Sequence, residues 1–280
     1  MRTPLLTLAV TATLALSACS TEQGTRAVDP AADGEPSASA SGGAAPDPVP
    51  DGPVQTELVT VLDNGSGPQL CLGAVAESYP PQCGGPAVED FEWGDVGAEK
   101  AAGVTWGQYA LTGTFDGSTF TVTDAIPAAL YDTMAEPEAG GLEPACDDAE
   151  ATDRAMATPE DMDATLQAAS ALPTYSTAWL SNGTISVAVT GDAEAAEETL
   201  RETWGGLLCV TTVERTDADL TEVNTALQQA LGDRLLTSGS SAPDSLDARV
   251  VFDDGSIQEW ADATYGEGLV QVTSALTPVS

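Results

Sequence analysis

A long low-complexity stretch near the start of the chain limits which residues can build a folded core. Residues 20–53 consist largely of Ser, Ala, Gly, Pro and Asp and hold almost no large apolar side chains. Such a segment cannot bury enough surface to offset the conformational entropy that it would lose on ordering. We therefore predict a disordered tether over residues 19–53 and a folded part that begins at residue 54.

The residues before the tether have the order of an export signal. Arg2 precedes an apolar run from Pro4 to Leu16, which is too short to span a membrane. The sequence Leu16-Ser17-Ala18-Cys19 that ends this region resembles a bacterial lipobox. The resemblance implies a lipoprotein signal peptide over residues 1–18, cleavage before Cys19, and attachment of lipid (palmitate or a similar acyl chain) to the Cys19 thiol.

The composition also resembles that of known lipoproteins. The chain is rich in Ala and Asp, has an acidic tether and contains a single lysine, Lys100. In these respects it is similar to lipoproteins of high-GC Gram-positive (actinobacterial) bacteria. The resemblance implies a protein that is held at the cell membrane by its lipid anchor, on the extracytoplasmic face.

Charge and the absence of histidine exclude several classes of function. The chain has 44 acidic and 8 basic residues and a formal net charge of −36, so it repels the phosphates of nucleic acids. With no histidine, it lacks Ser-His-Asp and Cys-His catalytic systems and histidine-based zinc sites. An enzyme of this composition would have to use paired carboxylates.

The cysteines predict two disulfide bonds. Four remain when Cys19 carries lipid: Cys71, Cys83, Cys146 and Cys209. An even number in an oxidising compartment indicates disulfides, and four cysteines allow three pairings. We favour Cys71–Cys83 and Cys146–Cys209, because each pair then lies within one proposed domain. A metal-binding cysteine cluster is disfavoured because no C-x-x-C pair is present.

The first half of the folded part reads as a small all-β domain over residues 54–126. Apolar runs at 58–62 and 69–73 flank the turn Asp63-Asn64-Gly65, and runs at 106–115 and 119–123 flank Asp116-Gly117. The alternation of Phe120 and Val122 with threonines predicts one buried and one wet face. Several short strands without a long helix predict an OB-like barrel or a sandwich.

A linker over residues 127–145 leads to a predicted α+β domain over residues 146–280. Thr158 and Thr216 are typical helix N-caps, and Asp192 is expected to open a further helix. Strands are predicted around 185–189, 207–213, 246–252 and 269–276, and a short helix over 257–264. The order β-α-β-α-β-α-β predicts an α+β sandwich with one sheet covered by helices.

Aromatic residues near the Cys71–Cys83 loop form the candidate binding face. We expect it to contain Tyr79, Trp93, Trp106 and Tyr109, because exposed aromatic rings suit stacking on sugars of a cell-wall polymer. Trp204 and Trp260 lie on inner helical faces and are expected in the core. Asp253-Asp254-Gly255 lacks the ligand spacing of an EF-hand, so no metal site and no cofactor are predicted.

These observations favour a non-catalytic role, the binding of a protein or an envelope component at the cell surface. The alternative is a carboxylate-based hydrolase or transferase of the cell envelope. A further alternative comes from residues 179–231, where a strand at Ile185–Thr190, an Ala/Glu helix and a strand at Leu208–Val210 precede a helix with Leu220 and Leu227. This order is similar to that in pro-regions of secreted serine proteases of the alpha-lytic type, and it implies a protease inhibitor or folding helper.

Overall fold

A closed barrel of five strands is the first large element of the structure. The structure is a computed structural model that describes residues 43–94, 97–131 and 141–279. Across these residues the chain is mostly β, with further sheets and four α-helices after the barrel. The prediction of a small β-rich fold in this part of the chain is confirmed at the level of a barrel.

The barrel closes because its longest strand pairs on both sides. The strands are β1 (Val54–Asp63), β2 (Pro68–Cys71), β3 (Ala87–Glu89), β4 (Ala98–Ala101), β5 (Val104–Phe115) and β6 (Thr119–Pro127). Their order is β1-β2-β3-β6-β5, and β5 pairs back with β1. β3 and β6 run parallel and the other neighbours run antiparallel, while β4 lies outside the ring on the first residues of β5.

The predicted hairpin at Asp116-Gly117 is present between β5 and β6. The Asp116 carboxylate accepts hydrogen bonds from the backbone N–H groups of Ser118 and Thr119 at 2.9 and 2.8 Å. Gly117 has a φ of 97°, a conformation that side chains disfavour. The turn chemistry therefore fixes the register of these two strands, as the sequence suggests.

The barrel core is completed by residues from the far end of the chain. Leu70, Leu111 and Phe120 are fully buried inside the ring. Phe252 and Leu276 belong to the same cluster of buried side chains. A short last strand, β13 (Thr277–Pro278), pairs with the start of β1. Because of these contacts, the C-terminal residues stabilise the barrel as well as their own region.

The rest of the described chain consists of two copies of one structural unit. The first repeat contains α1 (Pro159–Ser170), β7 (Tyr175–Ser181), β8 (Thr184–Val189), α2 (Ala193–Arg201) and β9 (Leu208–Thr212). The second repeat contains α3 (Asp217–Leu231), β10 (Leu235–Ala242), β11 (Ser245–Val250), α4 (Ser256–Tyr265) and β12 (Val270–Ser274). In each repeat the first two strands form an antiparallel hairpin and the third strand pairs parallel to the second.

This arrangement differs from the predicted order β-α-β-α-β-α-β and from a single sheet. Each repeat has its own three-stranded sheet, and each has a strand before the predicted one, namely β7 and β10. The sequence of β10, Leu-Leu-Thr-Ser-Gly-Ser-Ser-Ala, is dominated by small polar residues that are typical of loops. Both strands lie at a sheet edge, where little burial is needed, so their apolar pattern is weak.

The helix starts follow the sequence closely. Thr158 and Thr216 each accept a hydrogen bond from the N–H of an aspartate three residues later, and that aspartate accepts from the threonine N–H in return. These reciprocal capping boxes satisfy donors that a helix start leaves free. Ala169 and Leu227 occupy corresponding positions on the two helices, and both are fully buried. The predicted caps of α1 and α3 are therefore confirmed.

The last residues of the predicted tether lie against the second repeat. Trp260 on α4 donates a hydrogen bond from its ring N–H to the carbonyl of Gly43 at 2.9 Å. Arg234 donates to the carbonyls of Ala45 and Pro46, and its guanidinium lies 3.9 Å from the Asp47 carboxylate. The tether upstream of residue 43 lies outside the described residues.

Candidate binding site

The loop that joins β2 to β3 is closed on itself by a disulfide bond. Cys71 and Cys83 are joined, with their Cα atoms 5.7 Å apart. Within the loop that the disulfide closes, the Ala76 N–H donates to the Gln82 carbonyl at 2.8 Å, and the Ser78 hydroxyl donates to the Pro80 carbonyl at 2.8 Å. We call residues 71–83 the aromatic loop. The disulfide and these internal hydrogen bonds restrict the conformations of the loop.

Tyr79 projects from the aromatic loop into solvent. Tyr79 is 75% exposed, so its ring is accessible to a ligand. The ring stands edge-on to Trp106, with 5.3 Å between ring centroids and an angle of 90° between the planes. Trp106 is only 8% exposed and packs with Leu62 and Cys71 on the outer wall of the barrel. A buried aromatic ring therefore supports an exposed one.

Trp93 and Tyr109 belong to a different cluster. Tyr109 is 2% exposed and lies in the barrel core, where burial raises the pKa of its hydroxyl. Phe91 contacts both Trp93 and Tyr109, with centroid distances of 4.9 and 5.1 Å. Trp106 and Tyr109 are an odd number of residues apart on β5, so they point to opposite sides of the strand.

The four residues of the predicted binding face therefore do not share one surface. Tyr79 and Trp106 lie together on the outer wall, and Trp93 and Tyr109 lie together with the interior cluster. Phe91 is the member of the interior cluster that the sequence analysis missed, although its spacing from Trp93 on one side of an extended segment indicates it. The candidate binding site therefore consists of Tyr79 and the Trp106 ring that packs against it.

The second disulfide lies far from the aromatic loop in sequence. Cys146 is joined to Cys209 on β9, with Cα atoms 5.8 Å apart. Both pairs in the structure are those that the sequence analysis favours. The bond holds the residues before α1 against the sheet of the first repeat, where the Ala145 N–H donates to the Ser186 hydroxyl at 3.1 Å.

The shifted carboxyl groups have local structural roles. Hydrogen bonds from the Ser118 and Thr119 backbone lower the pKa of Asp116. The backbone and hydroxyl of Thr158 lower the pKa of Asp161, and the Thr216 hydroxyl and backbone lower that of Asp219.

Asp254 and the buried polar groups complete this picture. The Ser256 hydroxyl and backbone lower the pKa of Asp254. Apart from Tyr109, the buried polar side chains among the described residues belong to threonines and serines, and no group of three potential metal ligands is found there. The acids with shifted pKa values are therefore turn and cap residues.

The predicted signal peptide and Cys19 lie outside the described residues. Within the part that the structure describes, no helix combines the length and apolar character needed to cross a membrane. No protein-family model, no curated protein and no solved structure matches this chain.

Proposed function

We propose that this chain is a lipid-anchored binding protein of the extracytoplasmic membrane face, and that it binds a component of the cell envelope through the aromatic loop. The observation that carries the proposal is the exposed Tyr79 ring standing on the buried Trp106 ring. Holding a large apolar surface in water is unfavourable, and a preformed ring loses little entropy when a ligand covers it. The lipobox-like residues that end at Cys19 support the location.

The ligand that we propose is a sugar unit of a cell-wall polymer. A tyrosine ring offers an apolar face with a polar hydroxyl at its end, which suits the mixed character of a sugar ring. Gln82 lies in the same loop, where its side-chain amide donates to the Ser78 hydroxyl, and Glu99 on β4 is the cross-strand partner of Trp106. Both carry groups that can form hydrogen bonds with sugar hydroxyls.

A second argument for a sugar ligand comes from the barrel, which we propose to be OB-like. Its order β1-β2-β3-β6-β5, closed between β5 and β1 and with β3 parallel to β6, fits a five-stranded Greek-key barrel. Barrels of this type bind oligosaccharides or oligonucleotides on the face of their second and third strands. The aromatic loop connects these two strands, and the net charge of −36 disfavours the nucleic acid.

The alternatives from the sequence receive less support. A carboxylate-based hydrolase needs an acid whose pKa burial raises. The described acids with shifted pKa values are all shifted downward by hydrogen bonds. No described contact favours a protease inhibitor or folding helper.

The binding proposal is tested by co-sedimentation of the full-length protein, purified in detergent, with insoluble cell walls. We expect Tyr79→Ala to weaken binding about tenfold, which corresponds to about 1.4 kcal/mol of lost stacking. Leu180→Ala is the matched control, because Leu180 is also exposed (59%) but lies on β7. Equal binding by both variants and the unaltered protein would remove the proposed site.

The anchor is tested separately in intact cells. Cys19→Ser should move the protein from the detergent phase to the aqueous phase on Triton X-114 partitioning, since the acylated thiol is lost. Photo-cross-linking of cells with and without this substitution would then identify the envelope partner. If the Cys19→Ser variant kept its radiolabelled palmitate and stayed in the detergent phase, anchoring through this residue would be contradicted.

A further inference from the structure

A groove lies between the barrel and the sheet of the second repeat, on the side of that sheet away from its helices. Its volume is about 710 Å³. Its lining includes Gln55, Thr56, Glu57, Tyr131, Arg249 and Thr273. All six carry a hydroxyl, amide or charged group, while Ala110, Leu111, Ile126 and Ala275 add apolar surface to the same groove. We call it the Arg249 groove.

The position of Arg249 follows from the alternation of β11. Ala248 and Val250 are fully buried against the helices of the second repeat, so the residue between them faces the other way. Thr237 on β10 and Thr273 on β12 are its cross-strand partners. Arg249 therefore lies in the middle strand with a hydroxyl-bearing residue on each side.

The guanidinium of Arg249 has no counterpart within the described chain. Its Nε atom is buried and has no hydrogen-bond partner. Arg201, Arg215 and Arg234 each have a carboxylate within 4.0 Å, whereas no described carboxylate lies that close to Arg249. Leaving a buried donor unpaired is unfavourable, because the donor loses its hydrogen bonds to water and gains none in the protein. This cost is lowered when an acceptor enters the groove.

We propose that the Arg249 groove binds an oxyanion, a carboxylate or a phosphate group. The planar guanidinium fork presents parallel N–H donors that match two oxygens of such a group. Tyr131 and Thr273 also line this groove, and each carries a hydroxyl that can donate a hydrogen bond to the anion. This site is separate from the aromatic loop and does not depend on the function proposed for it.

Neighbouring acids set the strength and the salt dependence of this site. Glu57 lines the groove, and Asp247 is on the same face of β11 two residues from Arg249. Together with the net charge of −36, they oppose the approach of any anion. Binding therefore depends on short-range hydrogen bonds to Arg249, and removing the Glu57 charge should strengthen it.

The experiment is a titration of the full-length protein in detergent with inorganic phosphate and, separately, with acetate, at constant ionic strength. Binding is followed by NMR at the Nε–H signal of Arg249, assigned by its loss in Arg249→Gln, and at the backbone amide signal of Thr273, which also reports binding in variants that lack Arg249. We expect a saturable shift, a loss of affinity of at least about tenfold in Arg249→Lys because the fork is lost, and tighter binding in Glu57→Gln. Arg154→Gln is the control, since Arg154 precedes the first repeat and is outside the groove.

The outcomes distinguish the source of the anion and the failure of the proposal. Saturation with phosphate alone assigns a phosphate ligand, with acetate alone a carboxylate, and with both the shared oxyanion chemistry. An unchanged Arg249 signal with both probes, or equal saturation in Arg249→Lys and the unaltered protein, overturns the proposal. If Arg249→Gln does not fold, Thr273→Val supplies a second test, since it should weaken binding without removing charge. Tyr79→Ala should leave these titrations unchanged.

Discussion

The two repeats share one architecture but differ in what lies on the sheet face that points away from the helices. In the first repeat, the chain before α1 covers this face: the Trp179 ring N–H donates to the Glu143 carbonyl at 2.8 Å, and Ala188 is fully buried. In the second repeat, the position that corresponds to Ala188 is Arg249, which lines an open groove. The same arrangement of helices and strands therefore has a covered sheet face in the first repeat and a groove lined by Arg249 in the second.

The two repeats also differ in how each one binds the chain segment that packs against it. Arg201 in the first repeat donates to the carbonyls of Gly206 and Glu150, and a disulfide fixes the same segment. In the second repeat, Trp260 and Arg234 hold the end of the predicted tether by hydrogen bonds, and the Asp47 carboxylate lies 3.9 Å from the Arg234 guanidinium. The disulfide cross-links the first segment to its repeat, whereas the second segment is held by non-covalent contacts.

The largest expected effect comes from removing the disulfide of the first repeat. The Cys146→Ser/Cys209→Ser double variant should lower the free energy of unfolding by about 4 kcal/mol, because the bond closes a long loop. The Cys71→Ser/Cys83→Ser double variant should lose about 3 kcal/mol, since its sequence separation is 12 rather than 63. Urea unfolding measures both. A larger loss for the Cys71–Cys83 pair would contradict the loop-length argument.

A core truncation in the second repeat is next in size. Leu227→Ala should lower the free energy of unfolding by about 3 kcal/mol, because it leaves a cavity among fully buried side chains. Leu166→Ala on α1 is the control and should cost less than about 1 kcal/mol, since that side chain is partly exposed. Hydrogen exchange should show the added opening in the second repeat alone. Equal opening of both repeats would mean that they unfold as one unit.

The capping boxes should contribute equally in the two repeats. Thr158→Ala and Thr216→Ala should each cost about 1 kcal/mol at neutral pH. Hydrogen bonds from the threonines lower the folded-state pKa of Asp161 and Asp219 below the unfolded value. This stabilisation is therefore present above the unfolded pKa, near 4, and is lost as the pH falls through the lower folded-state pKa.

Urea unfolding of the two threonine variants between pH 7 and pH 2 measures this contribution. The difference between each variant and the unaltered protein should shrink as the medium becomes acidic. A difference that grows on acidification would contradict the role assigned to the aspartates.

Local signals in the sequence were sufficient for the caps and the Asp116-Gly117 turn, and the proposed domain boundary was sufficient to favour the observed pairing of the cysteines. They were insufficient for β10, whose Ser- and Gly-rich sequence becomes a strand only because β11 supplies its hydrogen bonds. Duplication was also hidden, because the two repeats share burial positions such as Ala169 and Leu227 rather than residue types.

The candidate site shows the same limit. Tyr79 was predictable as an exposed residue of a Pro-rich loop, but the strand alternation that separates Trp106 from Tyr109 depends on where β5 begins and pairs. Arg249 gave no signal, since an arginine between two apolar residues fits any half-buried strand. Arg249 is distinguished by the barrel residues that line the groove opposite it, and this neighbourhood exists only in the folded protein.

The smallest predicted effect tests how the second repeat holds its segment. Trp260→Phe removes the hydrogen bond to the Gly43 carbonyl but keeps an aromatic ring beside Tyr265, so it should cost about 0.5–1 kcal/mol. Because no disulfide joins this segment to the repeat, the loss should appear as faster amide exchange at residues 43–47 and leave α3 and β11 protected.

The matched change in the first repeat is Trp179→Phe, which removes the hydrogen bond to the Glu143 carbonyl. There the Cys146–Cys209 bond retains the segment, so exchange near Ala145 should change less. Similar acceleration in both segments would mean that the disulfide does not distinguish the two repeats.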